Sequence, residues 1–207
     1  MKLCAYGCRR PVAYRYNAIS LESFSSAHLK QKTMNQNLVT DRLLLRLYIE
    51  SDFEAFVKMH SDPILKANTH GKAMNRLQAR DLFDGYNDAF AKNNFGMMNI
   101  RSLEDDVDIG ECGLWFRKDA GGYTLRYTVL KDHWAQGYSL EAVGAVLKSA
   151  FEVYDLKHVQ AIAMNHNVRS MKVLERAGFV QTGNSFRDIH GFLRFVLTQT
   201  HWQKLNN

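Results

Sequence analysis

Tyr127-Thr128-Val129-Leu130-Lys131-Asp132-His133-Trp134-Ala135-Gln136-Gly137-Tyr138-Ser139-Leu140-Glu141-Ala142 reads as a strand that ends, a short loop, and a helix that opens at a glycine. Ala135, Gly137 and Ser139 are small, so the backbone here can approach a ligand closely. The loop amides and the helix N-terminus converge on one spot, which makes an anion site suited to a pyrophosphate. The spacing is neither the dinucleotide fingerprint G-x-G-x-x-G nor a P-loop, because no G-K-[ST] follows. A glycine at a strand–helix corner is more often structural than functional. The reading therefore leans on a second segment, Asn165-His166-Asn167-Val168-Arg169-Ser170, which precedes a helix closing with Leu174-Glu175-Arg176-Ala177-Gly178-Phe179.

Outward from this core the chain alternates between periods. Upstream, Leu43–Leu47 is an apolar run suited to a strand. Ser51-x-x-Glu54 has the form of a capping box for a helix that stops before Asp62-Pro63. Leu77, Leu82, Tyr86 and Phe90 fall near helical spacing, which predicts a helix over 75–92. Three strand-like runs follow, at 95–101, 109–116 and 123–130, with Asp105-Asp106 and Ala120-Gly121-Gly122 as turns; short links make them an antiparallel meander. After Gly137 an apolar helical stripe of Val143, Leu147, Ala150, Phe151 and Tyr154 appears. A strand is expected at 158–164, a helix at 168–177 ended by Gly178, and last strands at 179–182 and 192–198. The order β-α-α-β-β-β-α-β-α-β-β, with a right-handed crossover in the middle, predicts an α/β fold with one mixed sheet rather than a doubly wound one.

The 207 residues fit one domain with an appendage. No apolar run is long enough to span a bilayer, so no membrane partner is expected. Cys4, Cys8 and Cys112 have no framework spacing, and the eight His lack an H-E-x-x-H, so no metal site is expected. Net charge is +6, which by itself invites a nucleic-acid partner. Residues 1–33, however, carry six Lys or Arg against one acid, so the domain over 34–207 is nearly neutral and needs no polyanion. The basic stretch lacks the apolar core of a secretory signal. A transit peptide, a flexible basic arm and a true start at Met34 all remain open for it.

Trp134-Ala135-Gln136-Gly137-Tyr138-Ser139 resembles the [QR]-x-x-G-x-[GA] motif of the GCN5-related N-acetyltransferases (GNAT). Asn167-x-x-Ser170-x-x-x-Leu174-Glu175-x-x-Gly178-Phe179 resembles the signature of that family's ribosomal-protein alanine/serine branch. Thr40-Asp41-Arg42-Leu43-x-Leu45-Arg46 is similar to the branch's opening strand, Glu141-Ala142 to the continuation of its loop motif, and Thr200-His201-Trp202 to its closing turn. The resemblance covers residues 38–203. It implies the GNAT fold, in which an antiparallel meander joins a central β-α-β crossover whose parallel strands splay.

The resemblance further implies transfer of an acetyl group from acetyl-CoA to a primary amine, on a protein N-terminus or a small molecule, in the cytoplasm. The pyrophosphate is expected on the amides of Gln136, Gly137, Tyr138, Ser139 and Leu140, with Trp134 and Ala135 also binding the cofactor, and pantetheine on the exposed backbone of Val129 and Leu130. A strand amide near Leu130 is the expected oxyanion donor. Asn167 is expected to anchor pantetheine or a water, and Ser170 to act as the acid through its hydroxyl. Some members of the branch carry a Glu base three residues ahead of the strand Tyr; that place is Thr124 here, so the base does not carry over. Glu111 is a candidate base, with an exposed carboxylate as its bland reading, and Asp132 and His133 are weaker candidates. Without the family Glu, a module that holds acyl-CoA without turnover stays open as the alternative. Lys66, Lys72, Arg76 and Arg80 hint at an acidic acceptor, against the plainer reading of a solvated helix face. Oligomeric state is not legible.

Overall fold

Strand and helix periods resolve, in a computed structural model describing residues 37–67, 72–184 and 191–206, into one eight-stranded sheet with helices on both faces. The basic stretch 1–33 lies outside the described residues. The strands are β1 (Leu38–Val39), β2 (Leu43–Arg46), β3 (Met97–Ser102), β4 (Asp108–Arg117), β5 (Gly122–Val129), β6 (His158–Met164), β7 (Val180–Asn184) and β8 (Phe192–Thr198). The helices are α1 (Phe53–Ser61), α2 (Pro63–Ala67), α3 (Arg76–Asn93), α4 (Tyr138–Lys148), α5 (Val168–Arg176) and α6 (Gln199–Asn206). The sheet order is β1-β2-β3-β4-β5-β6-β8-β7. β5 and β6 are parallel, joined by the α4 crossover, while every other neighbouring pair is antiparallel. The mixed sheet and the central crossover agree with the expected fold class.

Adjacent residues point to opposite faces of a strand, and two cores follow from that alternation. Met98, Cys112, Leu114, Leu125 and Val129 pack under Ala142, Val143, Val146 and Leu147 of α4. Met97 instead joins Tyr48, Phe53, Phe56, Met59, Phe83 and Tyr86 beneath α1 and α3. Phe56, Phe83 and Tyr86 are at most 2% exposed, so each Phe contributes roughly 1.5–3 kcal/mol of burial. Gly113 is required by packing: a Cβ there would lie 2.1 Å from the Gly96 carbonyl oxygen.

Three local expectations need correction. Ser51 and Glu54 do not cap α1. Asp52 stands at the N-cap position of α1 without a side-chain capping bond; its carboxylate accepts from the Ile49 amide at 2.9 Å, closing the short turn Glu50–Asp52, while paired with Arg46, and Glu54 reaches Arg76 instead. The short β1 and α6 carry too few periodic residues to announce themselves. The α4 rod runs past Lys148 through a wider turn over Ser149–Val153.

Candidate active site

The site begins where β5 and β6 part. They share one registered pair, Thr124 with Gln160, and beyond it β6 pairs along its whole length with β8. The Leu130 amide donates to the Ile109 carbonyl of the β4 side at 2.8 Å, and that bond sets the phase of the strand. Because such bonds alternate along an antiparallel pair, Thr128, Arg126 and Thr124 turn their backbone polar groups toward β4. Leu125, Tyr127 and Val129 turn theirs toward the opening beside β6. Exposed backbone was expected at Val129 and Leu130. The Leu130 amide is committed to β4, so it is neither free strand backbone nor an oxyanion donor. The Val129 carbonyl is also taken, by the Trp134 indole N–H at 2.8 Å. Tyr127 and the Val129 amide provide the open edge.

At the end of this opening sits the anion loop. Ala135 and Gly137 adopt left-handed conformations, with φ of 62° and 86°, and these turn the intervening amides outward. Gly137 serves as N-cap of α4 without a side-chain capping bond, so the first-turn amides are left for an external acceptor. Ala135, Gln136 and Gly137 are exposed. Leu140 contributes less than expected, since its amide already donates to the Gly137 carbonyl at 3.1 Å. Trp134 is a packing residue as well, half-buried, with the Arg169 guanidinium 4.6 Å from its ring centroid.

The Thr40-Asp41-Arg42 segment clamps the loop from behind. Glu141 accepts from Thr40 Oγ1 at 2.6 Å, the Arg42 amide at 3.0 Å and Arg42 Nε at 2.8 Å. Arg42 Nη1 in turn holds the Gln136 carbonyl at 3.1 Å, turning that oxygen away from the amides. Two sequence motifs about a hundred residues apart are thus one structural unit. Burial pushes the Glu141 carboxyl up, but these hydrogen bonds outweigh it and hold it below the usual value.

Across the opening, Asn167 caps α5, its Oδ1 accepting the Ser170 amide at 3.1 Å. This bond fixes the backbone of Ser170 in the first turn of α5. The Ser170 and Tyr127 hydroxyls lie 2.8 Å apart, and the Tyr127 hydroxyl also donates to the Ser170 carbonyl at 3.1 Å. The Tyr127 phenol is driven well above its ordinary value, chiefly by burial, so it stays protonated and able to donate.

Glu111 is not the exposed carboxylate of its bland reading: it is 2% exposed, on the α1 face of β4. Its Oε2 meets His60 Nε2 at 3.2 Å and the Tyr48 hydroxyl at 3.3 Å. His60 Nδ1 lies 2.7 Å from Lys66 Nζ. An ammonium only donates, so Nδ1 accepts and Nε2 carries the proton given to Glu111. Burial raises the Glu111 carboxyl, but the His60 bond and the charges of Arg126 and Lys66 hold it below the ordinary range. His60 escaped the sequence reading, although a polar residue on the Phe53, Phe56 stripe of α1 was the available signal. Asp132 is exposed and His133 half-buried, with neither joining this cluster. Cys112 is fully buried, and burial pushes its thiol up.

Among the described residues, no group of three or more His, Cys, Asp or Glu could hold a metal ion, and no helix is long and apolar enough to cross a membrane. The chain is 27% identical over 150 residues to the uncharacterized N-acetyltransferase p20 of Bacillus licheniformis, covering 72% of this chain and 84% of that protein. Its fold is similar to an acetyltransferase from Agrobacterium tumefaciens str. C58, with TM-score 0.72, 22% identity, and 79% and 95% of the two chains covered. It is also similar to spermidine N-acetyltransferase from Vibrio cholerae in complex with CoA and spermine, with TM-score 0.67, 16% identity, and 79% and 99% covered. The model of the acetyltransferase (GNAT) domain matches residues 42–180. With the splayed strands and the outward-facing amides of one helix start, this match establishes that the chain belongs to the GNAT acetyltransferase family and is an N-acetyltransferase.

Proposed function

We propose that the protein moves an acetyl group from acetyl-CoA directly to a primary amine, on a protein N-terminus or a small molecule, in the cytoplasm. The observation that carries this reading is the continuity of the open β5 edge with the amides of Gln136, Gly137, Tyr138 and Ser139. A thioester arm and its pyrophosphate need those two features in line. CoA in the related spermidine enzyme's structure supports the donor. The ribosomal-protein branch is supported by the Asn167, Ser170, Leu174, Glu175 and Gly178 pattern and by the opening and closing segments that resemble it.

In the transfer, the amine nitrogen bonds to the thioester carbon and the C–S bond breaks. Glu111, ionised at neutral pH, takes the proton the amine loses, with His60 holding its Oε2. The Ser170 and Tyr127 hydroxyl pair returns a proton to the departing thiolate. Asn167 fixes Ser170 by capping α5. The second reading, a module that binds acyl-CoA without turnover, is favoured by Thr124, which offers a buried hydroxyl where some relatives carry a carboxylate. Thiol release from acetyl-CoA, measured against peptides, polyamines, amino acids and aminoglycosides, separates the two. Release with at least one amine supports transfer. Tight CoA binding with no release from any of them supports the module.

A further inference from the structure

Two of the basic residues that hinted at an acidic acceptor are engaged by acids of the chain itself. Arg76 is paired with Glu54, and Arg80 with Glu50 and Asp84. The informative cation is Arg126, at the centre of the sheet. Side chains of Thr124, Arg126 and Thr128 share the face of β5 that lies beneath α1 and α3, beside Glu111. Paired to β4 and just past the last contact of β5 with β6, Arg126 is exposed. It forms no hydrogen bond or ion pair among the described residues. Two hydroxyls beside it have no hydrogen-bond partner either: Tyr86, fully buried, and Thr124, 1% exposed. The Tyr86 ring packs 5.5 Å from Trp115, which is the cross-strand partner of Thr124. Arg126 is also close enough to the Tyr86 phenol for its charge to act on that hydroxyl.

A buried hydroxyl without a partner costs about 1–3 kcal/mol, and two beside an unpaired guanidinium describe a site awaiting an acceptor of hydrogen bonds. The surroundings set its polarity. Glu111 on β4 is the negative group there, and its Oε2 is already held by His60 of α1 and Tyr48. Lys66 of α2 and Arg194 of β8 are positive, and Arg194 is bound to Gln160. Glu111 lies across from Thr128, hence diagonal to Arg126, a spacing of roughly 7–8 Å between backbones. One end of the site is negative and the other positive.

Resting on the transfer reading above, we infer that the acceptor is an amine carrying its own anionic group, a carboxylate or a phosphate, held by Arg126 with the Tyr86 and Thr124 hydroxyls while the amine faces Glu111. Guanidinium suits either anion through paired N–H donors.

The test uses matched acceptors: amino acids against their carboxamides, and O-phosphoethanolamine against ethanolamine, with wild type, Arg126→Ala, Arg126→Lys and Tyr86→Phe. The expected result is kcat/KM at least tenfold higher for the anionic member of a pair. Arg126→Ala should erase most of that ratio through KM, Arg126→Lys should restore part of it, and Tyr86→Phe should lower it several-fold. The two anion arms tell carboxylate from phosphate. Equal kcat/KM within both pairs, or an Arg126→Ala loss that is the same for charged and neutral members, overturns the inference. If no amine releases thiol, the transfer reading fails by itself, and calorimetry on the CoA-loaded protein decides the site. Binding of an anionic amine that Arg126→Ala abolishes supports it, and no binding to wild type refutes it.

Discussion

Replacing Glu141 with Gln isolates the clamp behind the anion loop. The carboxylate oxygens together take the Thr40 hydroxyl, the Arg42 amide and the Arg42 guanidinium, whose Nη2 approaches to 2.6 Å. Glutamine keeps one acceptor oxygen and turns an NH2 toward guanidinium donors, so the two-point ion pair is lost. A charge-assisted bond of this kind contributes about 1.5–3 kcal/mol when shielded. Arg42 is 48% exposed, so water screens part of that and the net is about 1.5 kcal/mol. If the clamp exists to hold the Gln136 carbonyl away from the ligand, CoA affinity should fall about tenfold. The midpoint of unfolding should fall by only about 3–6 °C. Calorimetric titration with CoA, run beside thermal unfolding, reads both. A lowered midpoint with unchanged CoA affinity would show that the clamp serves the fold and not the loop.

Ser170→Ala should lower kcat by more than tenfold with CoA affinity nearly retained if the Ser170 and Tyr127 pair returns the proton; equal losses in steady-state kinetics would make Ser170 a positioning residue. Gly113→Ala should destabilise by about 1–3 kcal/mol in chemical unfolding, because its new Cβ meets backbone at Gly96. Gly144→Ala, in α4 with nothing within 4 Å, should instead stabilise by about 0.5–1 kcal/mol. Asp52, Glu111 and Glu141 are all held below their ordinary values in the folded protein. Their stabilisation is therefore complete above the unfolded carboxylate values, near 4, and is lost as pH falls through the folded ones. Unfolding free energy should drop steeply below about pH 4, and less steeply in Glu111→Gln.

The strand–loop–helix passage was legible because its geometry is local: one glycine, its small neighbours and a helix start set the turn whatever packs around it. The period switches placed β6 and β8 as observed and the other main elements within a few residues. Pairing decisions were not local. That Asp52 and not Ser51 makes the side-chain bond at the turn before α1 depends on Arg46 reaching it from β2. That Leu130 faces β4 depends on the phase of a neighbouring strand. Glu111 looked like a surface carboxylate because its partners, Tyr48 and His60, lie 63 and 51 residues away in sequence. Arg126 was passed over for the opposite reason: Lys66, Lys72, Arg76 and Arg80 drew attention, and only the fold showed Arg76 and Arg80 engaged with acids while Arg126 sits beside Glu111.

The central claim is that the amides around Gly137 hold the pyrophosphate of CoA. Gly137→Asp places a carboxylate and a Cβ there, on a residue whose φ of 86° favours glycine. Its exposed position leaves both cores untouched. The decisive measurement is the CoA dissociation constant of this variant against wild type, with far-ultraviolet circular dichroism to confirm the fold. The account requires CoA binding to be lost in a folded variant; unchanged affinity would contradict it.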